Sequence, residues 1–257
     1  MGNKQFGRLL KYDLTVSLLQ NRGRILGGVV VQFFICGIVL VNSVNKRDFF
    51  DAFTALMWGS NEYIPESGGE FMLPVAWLVI MLYALFIVAA LPNQSLNGSG
   101  KIAFIKSVER KWWWASKCIC ITIIICASFL LLYGMLFFQV LVSGGFAAVG
   151  AGFGGGSGAV AWGFVLPVLV CISLAIAENT IALFLNPAAG YISAIVLLVV
   201  SAYFKRGWLL GNYGMLARIQ PYSENGLPPE AGLIWTAVVI ALSIAAGAWK
   251  LRRSDLM

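Results

Sequence analysis

The sequence predicts an all-α polytopic membrane protein with six transmembrane helices and cytoplasmic N and C termini. An interfacial amphipathic helix precedes the first span, and a short cytoplasmic helix lies between the second and third. Three observations predict this. The 257 residues are 60% apolar and 11% charged, with a mean hydropathy of +0.84, whereas soluble proteins are about a quarter charged. Six apolar runs approach the roughly 20 residues that a helix needs to cross a bilayer core. The basic residues also fall unevenly over the connections between those runs, as the orientation rule for membrane helices requires.

The runs are 25–44, 71–91, 118–142, 160–185, 188–204 and 231–249, and together they make residues 1–257 one transmembrane domain. The first follows a long polar stretch and lacks a small-residue cleavage site, so it reads as a retained span. Only Asn186 and Pro187 separate the fourth from the fifth, which predicts a tight helical hairpin. Thirteen of the eighteen basic residues lie in the N-terminal tail, the second connection and the C-terminal tail. Lys46, Arg47, Lys205, Arg206 and Arg218 are on the opposite side, accompanied by Asp48, Asp51, Glu62, Glu66, Glu70, Glu224 and Glu230. The net charge of +7 is thus explained by membrane orientation rather than by nucleic acid.

The chain contains no histidine, which excludes His-dependent catalysis and His metal ligation. Its five cysteines lie in or beside apolar runs without a CxxC pair and read as small buried hydrophobes. Neither a catalytic set nor a metal site is expected.

Over residues 1–23, Phe6, Leu9, Leu10, Leu14, Leu18 and Leu19 recur at helical spacing, with Lys4, Arg8 and Lys11 on the remaining surface. This pattern predicts a helix lying against the cytoplasmic lipid surface. In the connection from Leu91 to Lys117, Pro92 and the following Asn/Ser/Gly cluster are expected to break the second span. Gly100 then precedes a short amphipathic run containing Lys101, Ile102, Phe104, Ile105, Lys106, Val108, Glu109 and Arg110. Its apolar residues and flanking charges suit insertion into a groove on a cytoplasmic partner. Trp112, Trp113 and Trp114 are expected to mark the water interface where the third span begins, with Trp249, Arg252 and Arg253 as anchors at the end of the sixth.

Gly98-Ser99-Gly100-Lys101 superficially resembles a phosphate-binding loop. That motif needs a Gly where this chain has Ser95, and Ser or Thr where it has Ile102. No ATP site is therefore expected in this chain. Ser143 to Gly158 contains eight glycines in sixteen residues and no charge, which fits an outside loop or a broken re-entrant piece. Lys205 to Glu230 reads as short helices at the outer interface, capping a translocation path or anchoring the last two spans.

Glu178, followed by Asn179, is the ionisable group inside a predicted span. An acid at membrane depth costs on the order of 2.5 to 3.5 kcal/mol on insertion scales, so it should face the bundle, a wet cavity or a partner. Lys117, Arg22 and Arg24 are the cations within reach from the inner side. The readings are structural pairing with one of them, a substrate or coupling role, and solvation at the interface.

The ordered combination resembles the ABC-2 type family of ATP-binding-cassette transporter permeases, including bacterial peptide and drug exporters and immunity permeases. The resemblance rests on the basic amphipathic segment, the six spans and the second connection ending in Arg110, Trp113 and Lys117. It also rests on the C-terminal Trp249-Lys250-Leu251-Arg252-Arg253-Ser254-Asp255-Leu256. It implies that Gly100 to Arg110 is a coupling helix docking on a separate ATPase subunit, which would hold the ATP and Mg. It further implies a second permease, identical or different, and a multi-pass location in the bacterial plasma membrane. The span composition, rich in Phe, Trp, Met and Gly, favours an amphipathic peptide or lipophilic compound as cargo. Two alternatives stand beside this reading: a proton-coupled secondary transporter using Glu178, and a noncatalytic membrane anchor or sensor subunit.

Overall fold

The computed structural model describes residues 3–42, 48–61, 72–97, 110–143, 157–220 and 222–253. They form nine α-helices: α1 (Asn3–Gln20), α2 (Arg22–Asn42), α3 (Phe49–Met57), α4 (Val75–Val88), α5 (Leu91–Asn97), α6 (Arg110–Val142), α7 (Ser157–Phe184), α8 (Pro187–Tyr203) and α9 (Pro229–Arg253). Two 3-10 helices, Leu210–Gly214 and Leu216–Arg218, lie between α8 and α9, and no β-strand occurs among the described residues. Five segments are long and apolar enough to cross a membrane: Arg22–Asn42, Val75–Leu96, Arg110–Val142, Val160–Phe184 and Pro229–Arg253. The protein is a multi-pass membrane protein. The shorter α8, also apolar, packs back on α7 as the Asn186-Pro187 signal predicts: the Asn186 side chain accepts from Ala189 N at 2.7 Å, and Pro187 starts the helix.

The core lies where α4, α6 and α7 meet, with Trp77, Met81, Ile125, Phe129, Val170 and Ala175 fully or almost fully buried. α9 lies along α7 and α6, α2 against α6 and α4, and α1 against α6. Close approach is set by small residues. At Gly247 an added Cβ would lie 2.5 Å from the Trp114 indole, so a side chain there would push α9 off α6. At Gly190 it would lie 2.5 Å from the Glu178 carbonyl oxygen and 3.1 Å from Ala182 Cβ. Backbone cannot yield as a flexible side chain does, so Gly190→Ala is expected to separate α7 from α8 and to cost about 1–3 kcal/mol. Unfolding by detergent titration checks this, with Gly134→Ala, whose Cβ meets nothing within 4 Å, expected to cause no loss.

Several boundaries differ from the sequence reading. The helix of the second span ends at Ala89 and Ala90, before Pro92, and Ala90 adopts a φ of 65°. Pro92 instead lies in the first turn of α5, where its missing N–H has no helical partner to lose. α6 begins at Arg110, eight residues before the predicted start at Cys118, because the Trp-rich stretch is helical and packed in protein. Trp113 and Trp114 are buried, and only Trp112 is half exposed, its ring tilted 60° to that of Phe6 in α1 at 5.5 Å. The tryptophans therefore join helices rather than simply facing a water interface. Arg22 and Arg24 lie inside α2 rather than before it.

α3 has no counterpart in the expected elements. Asp48 caps it by accepting from Phe50 N at 2.9 Å, and its face of Ala52, Phe53, Leu56 and Met57 is buried. Phe53 stacks on Phe164 with ring centroids 4.2 Å apart and meets Tyr133 edge-on, tying α3 to α6 and α7. Nine residues are too few to span a membrane, so no hydropathy signal announces this helix.

Candidate functional site

Three polar clusters interrupt the apolar bundle. The first joins α1 to α6. Asp13, Ser17 and Asn21 repeat every four residues and turn one polar stripe of α1 inward, leaving Leu18 and Leu19 uncovered. Lys117 Nζ lies 2.8 Å from Asp13 Oδ1, and Ser116 Oγ donates to Asp13 Oδ2 at 2.7 Å. The ammonium also lies 5.4 Å from the Trp113 ring centre. Both charges of the pair are almost wholly buried. The amphipathic segment is thus docked on the bundle through this polar stripe, with Leu14 and Phe6 packing beside it.

The second cluster surrounds the break after α4. A break leaves carbonyl oxygens without helical partners. Arg24 Nη1 donates to Phe86 O at 3.4 Å and to Ala89 O at 3.0 Å, with its guanidinium carbon 4.7 Å above the Phe86 ring. Tyr83 Oη donates to Arg24 O at 3.2 Å, so α2 and α4 hold one another at this point. Asn93 Nδ2 from α5 donates to Ala182 O of α7 at 3.1 Å. Within α7, Glu178 is 1% exposed, and neither carboxylate oxygen has a hydrogen-bond partner. Asn179 donates back to Ala175 O at 2.8 Å while its Oδ1 remains unpartnered.

This arrangement answers the question posed by an acid at membrane depth. Lys117 is engaged by Asp13, Arg22 is exposed, and Arg24 rests on backbone carbonyls. None of the three expected cations forms an ion pair with Glu178, and its burial removes solvation as an account. Glu178 faces the bundle interior, as the cost of a lipid-facing acid requires.

The third cluster lies at the opposite end, where residues 204–220 and 222–228 fold into a cap. The short helices expected in this connection are present as the two 3-10 helices, and Leu209 to Ile219 are buried against the bundle throughout. Trp77 Nε1 donates to Gly214 O at 2.7 Å, and Ala217 N donates to Trp58 O at 2.9 Å. At its centre Arg218 is fully buried. Its guanidinium donates to Ser60 O, Ser201 O, Asn61 O, Ala202 O, Asn212 Oδ1 and Ser60 Oγ. One side chain thereby joins the segment after α3, the end of α8 and the first 3-10 helix.

Of the residues predicted for partner docking, Gly100, Lys101, Ile102, Phe104, Ile105, Lys106 and Glu109 lie outside the described residues. So do the Gly-rich stretch 144–156 and the terminal Ser254, Asp255 and Leu256. Arg110 is described: its Nη1 donates to Leu251 O at 2.9 Å and to Arg252 O at 3.3 Å, joining the start of α6 to the end of α9. Arg253 covers the Trp249 ring at 4.4 Å, and Arg252 is exposed. The basic residues of α1, α6 and α9 therefore gather at one end of the bundle, and the cap closes the other.

Asp13, Ser116 and Arg218 were missed as site residues. Asp13 carried a readable signal, being the first acid in the chain and heading the Asp13, Ser17, Asn21 stripe. Arg218 carried a weaker one, a single charge within the apolar run from Tyr213 to Ile219. Among the described residues no three Cys, Asp or Glu side chains gather as a metal site would require. All five cysteines are free, and Cys126 is the exposed one.

No curated protein matches this sequence. Residues 25–257 match the model of a family described as a protein of unknown function, DUF2705, from the first long apolar helix through the C-terminus. With nearly the whole chain inside that match, the protein belongs to the DUF2705 family.

Proposed function

We propose that this chain is the transmembrane permease subunit of an ATP-driven exporter of the ABC-2 type. ATP is hydrolysed by a separate subunit that docks on the connection from Gly100 to Arg110. The observation that carries the reading is the anchoring of that connection. On one side α5 is tied to α7 through Asn93 and Ala182 O, and on the other Arg110 is tied to the last turn of α9. Force applied between these anchors would reach α4, α6, α7 and α9 directly. The basic residues at this end favour a cytoplasmic position for it and for both termini. α8, with 17 residues or about 25 Å of helix, serves as the sixth span.

In this reading the working unit pairs two permeases, identical or different, with two ATPases in a bacterial plasma membrane. ATP drives transport because its bound and free states favour different arrangements of this chain. The cargo is an amphipathic peptide or lipophilic compound, in keeping with bundle surfaces of Phe, Trp, Leu and Ile. The chain itself is a transport subunit without catalytic residues or bound cofactor.

Gentle purification of the tagged chain from its native membrane, followed by mass spectrometry, tests the proposal. An ATP-binding-cassette ATPase is expected in near-equal amount. Recovery of the chain alone from several mild detergents would overturn the reading. Phe104→Asp with Ile105→Asp is expected to leave membrane insertion intact and abolish ATPase association, and retained association would place docking elsewhere.

A further inference from the structure

We infer that Arg24 and Glu178 form a two-position latch: the guanidinium now caps the carbonyls of Phe86 and Ala89 at the α4–α5 break, and its alternative position pairs with Glu178 and uncaps that break. The argument begins with what each position leaves unsatisfied. With Arg24 on Phe86 O and Ala89 O, both Glu178 oxygens lack a partner. With Arg24 on Glu178, the buried acid gains a bidentate cation and the two carbonyls lose their charged donor. Each position satisfies one demand and leaves the other open, and an element with two such arrangements is what a conformational switch requires.

The surroundings single out Arg24 as the moving partner. Its guanidinium lies over the Phe86 ring, whose centre is 5.9 Å from that of Tyr191 in α8, and the neighbouring Gly190 packs against the Glu178 backbone; Nη1 is the guanidinium nitrogen engaged with the carbonyls. Tyr191 of α8 follows Gly190, which packs against the Glu178 backbone, but it donates its hydroxyl to Leu82 O at 3.2 Å, and Cys171 lies two turns earlier in α7 as a buried thiol. Tyr83 of α4 donates to Arg24 O, which holds the α2 backbone in place beneath the guanidinium. Lys117 of α6 is committed to Asp13. α5 has no titratable side chain, and Lys250 of α9 lies over the Phe184 ring at 5.4 Å.

The latch would carry a signal because of what it joins. The break it caps starts α5, and α5 is bonded to α7 four residues beyond Glu178, through Asn93 and Ala182 O. Uncapping Ala89 O lets α5 move relative to α4, while a new bond to Glu178 draws α2 toward α7. A charge buried in the bundle and the segment entering the 98–109 connection would then move together.

The test uses the whole chain in lipid nanodiscs, with Cys126→Ser removing the exposed thiol and Gln94→Cys placing a reporter on α5. The rate of labelling by a water-soluble maleimide reads how often the break opens. Glu178→Gln, nearly isosteric but uncharged, is expected to slow labelling about tenfold, within the usual range for coupled sites. Arg24→Gln, which removes the cap, is expected to speed it by about as much. The double variant should label like Arg24→Gln alone, because Glu178 acts only through Arg24. Glu178→Asp, which keeps the charge, should label within about twofold of its parent. A Glu178→Gln rate equal to the parent's, an equal effect of that change with and without Arg24, or a Glu178→Asp rate as low as that of Glu178→Gln would each overturn the latch. The measurement needs no ATPase, so its failure leaves the exporter reading standing. Failure to recover an ATPase would likewise leave the latch untouched.

Discussion

Replacing Asp13 by Asn is expected to destabilise the chain by about 3–5 kcal/mol, the usual cost of removing one partner from a buried ion pair. The change keeps the shape of the side chain and leaves the Lys117 ammonium, 4% exposed, without a counter-charge. Ser116 Oγ would still find an acceptor in the amide, so the loss is one of charge rather than of hydrogen bonding. The double change Asp13→Leu with Lys117→Met should recover most of the loss, because two apolar side chains avoid the cost of burying either charge. Detergent-titrated unfolding followed by tryptophan fluorescence reads both variants, since the Trp113 ring adjoins Lys117. A single variant within about 1 kcal/mol of the parent would show that α1 is a loosely attached surface helix, held no better than an exposed pair could hold it.

The second large effect is expected at Arg218. Arg218→Ala removes the charged donor shared by the segment after α3, the end of α8 and the first 3-10 helix, leaving Ser60 O, Ser201 O and Asn212 Oδ1 without it. Unsatisfied buried groups cost about 1–3 kcal/mol each, so the sum should exceed about 3 kcal/mol even where water enters. Arg218→Lys should recover little, because one ammonium cannot direct donors to acceptors spread around a planar guanidinium. The cap should loosen before the bundle does, and limited proteolysis should then cut first between Lys205 and Pro228. Intact protease resistance in Arg218→Ala would assign the cap's stability to its buried apolar side chains, such as Leu210, Met215 and Leu216, instead.

The difference between what was legible and what was not follows the range of the interactions involved. Hydropathy runs are local and additive, so the long helices were readable, and so was the α7–α8 hairpin from Asn186 and Pro187. Helix starts were less secure where aromatic and basic residues mix. Arg110 to Lys117 looks like a membrane edge in composition, yet it is helical because α1 and α9 pack on it. α3 was invisible because nine residues give no span signal, and its nine residues gain their burial from Tyr133 and Phe164, distant in sequence.

For the candidate site, Glu178 was legible as an intramembrane acid, because a charge within a span is conspicuous in one dimension. Its lack of a partner was not legible. Three cations lie at plausible depth, and only their packing shows that Asp13 holds Lys117 while the carbonyls of Phe86 and Ala89 hold Arg24. By itself the sequence determined a helical multi-pass membrane protein, the unequal charge of its two ends and the placement of an acid within a span, since these depend on transfer free energy summed along the chain. Only the tertiary structure decided which charges meet, where α4 breaks and that Leu209 to Ile219 form a buried cap. Those features depend on contacts between segments tens to more than a hundred residues apart, such as Asp13 with Lys117 and Arg218 with Ser60, whose pairing no local pattern specifies.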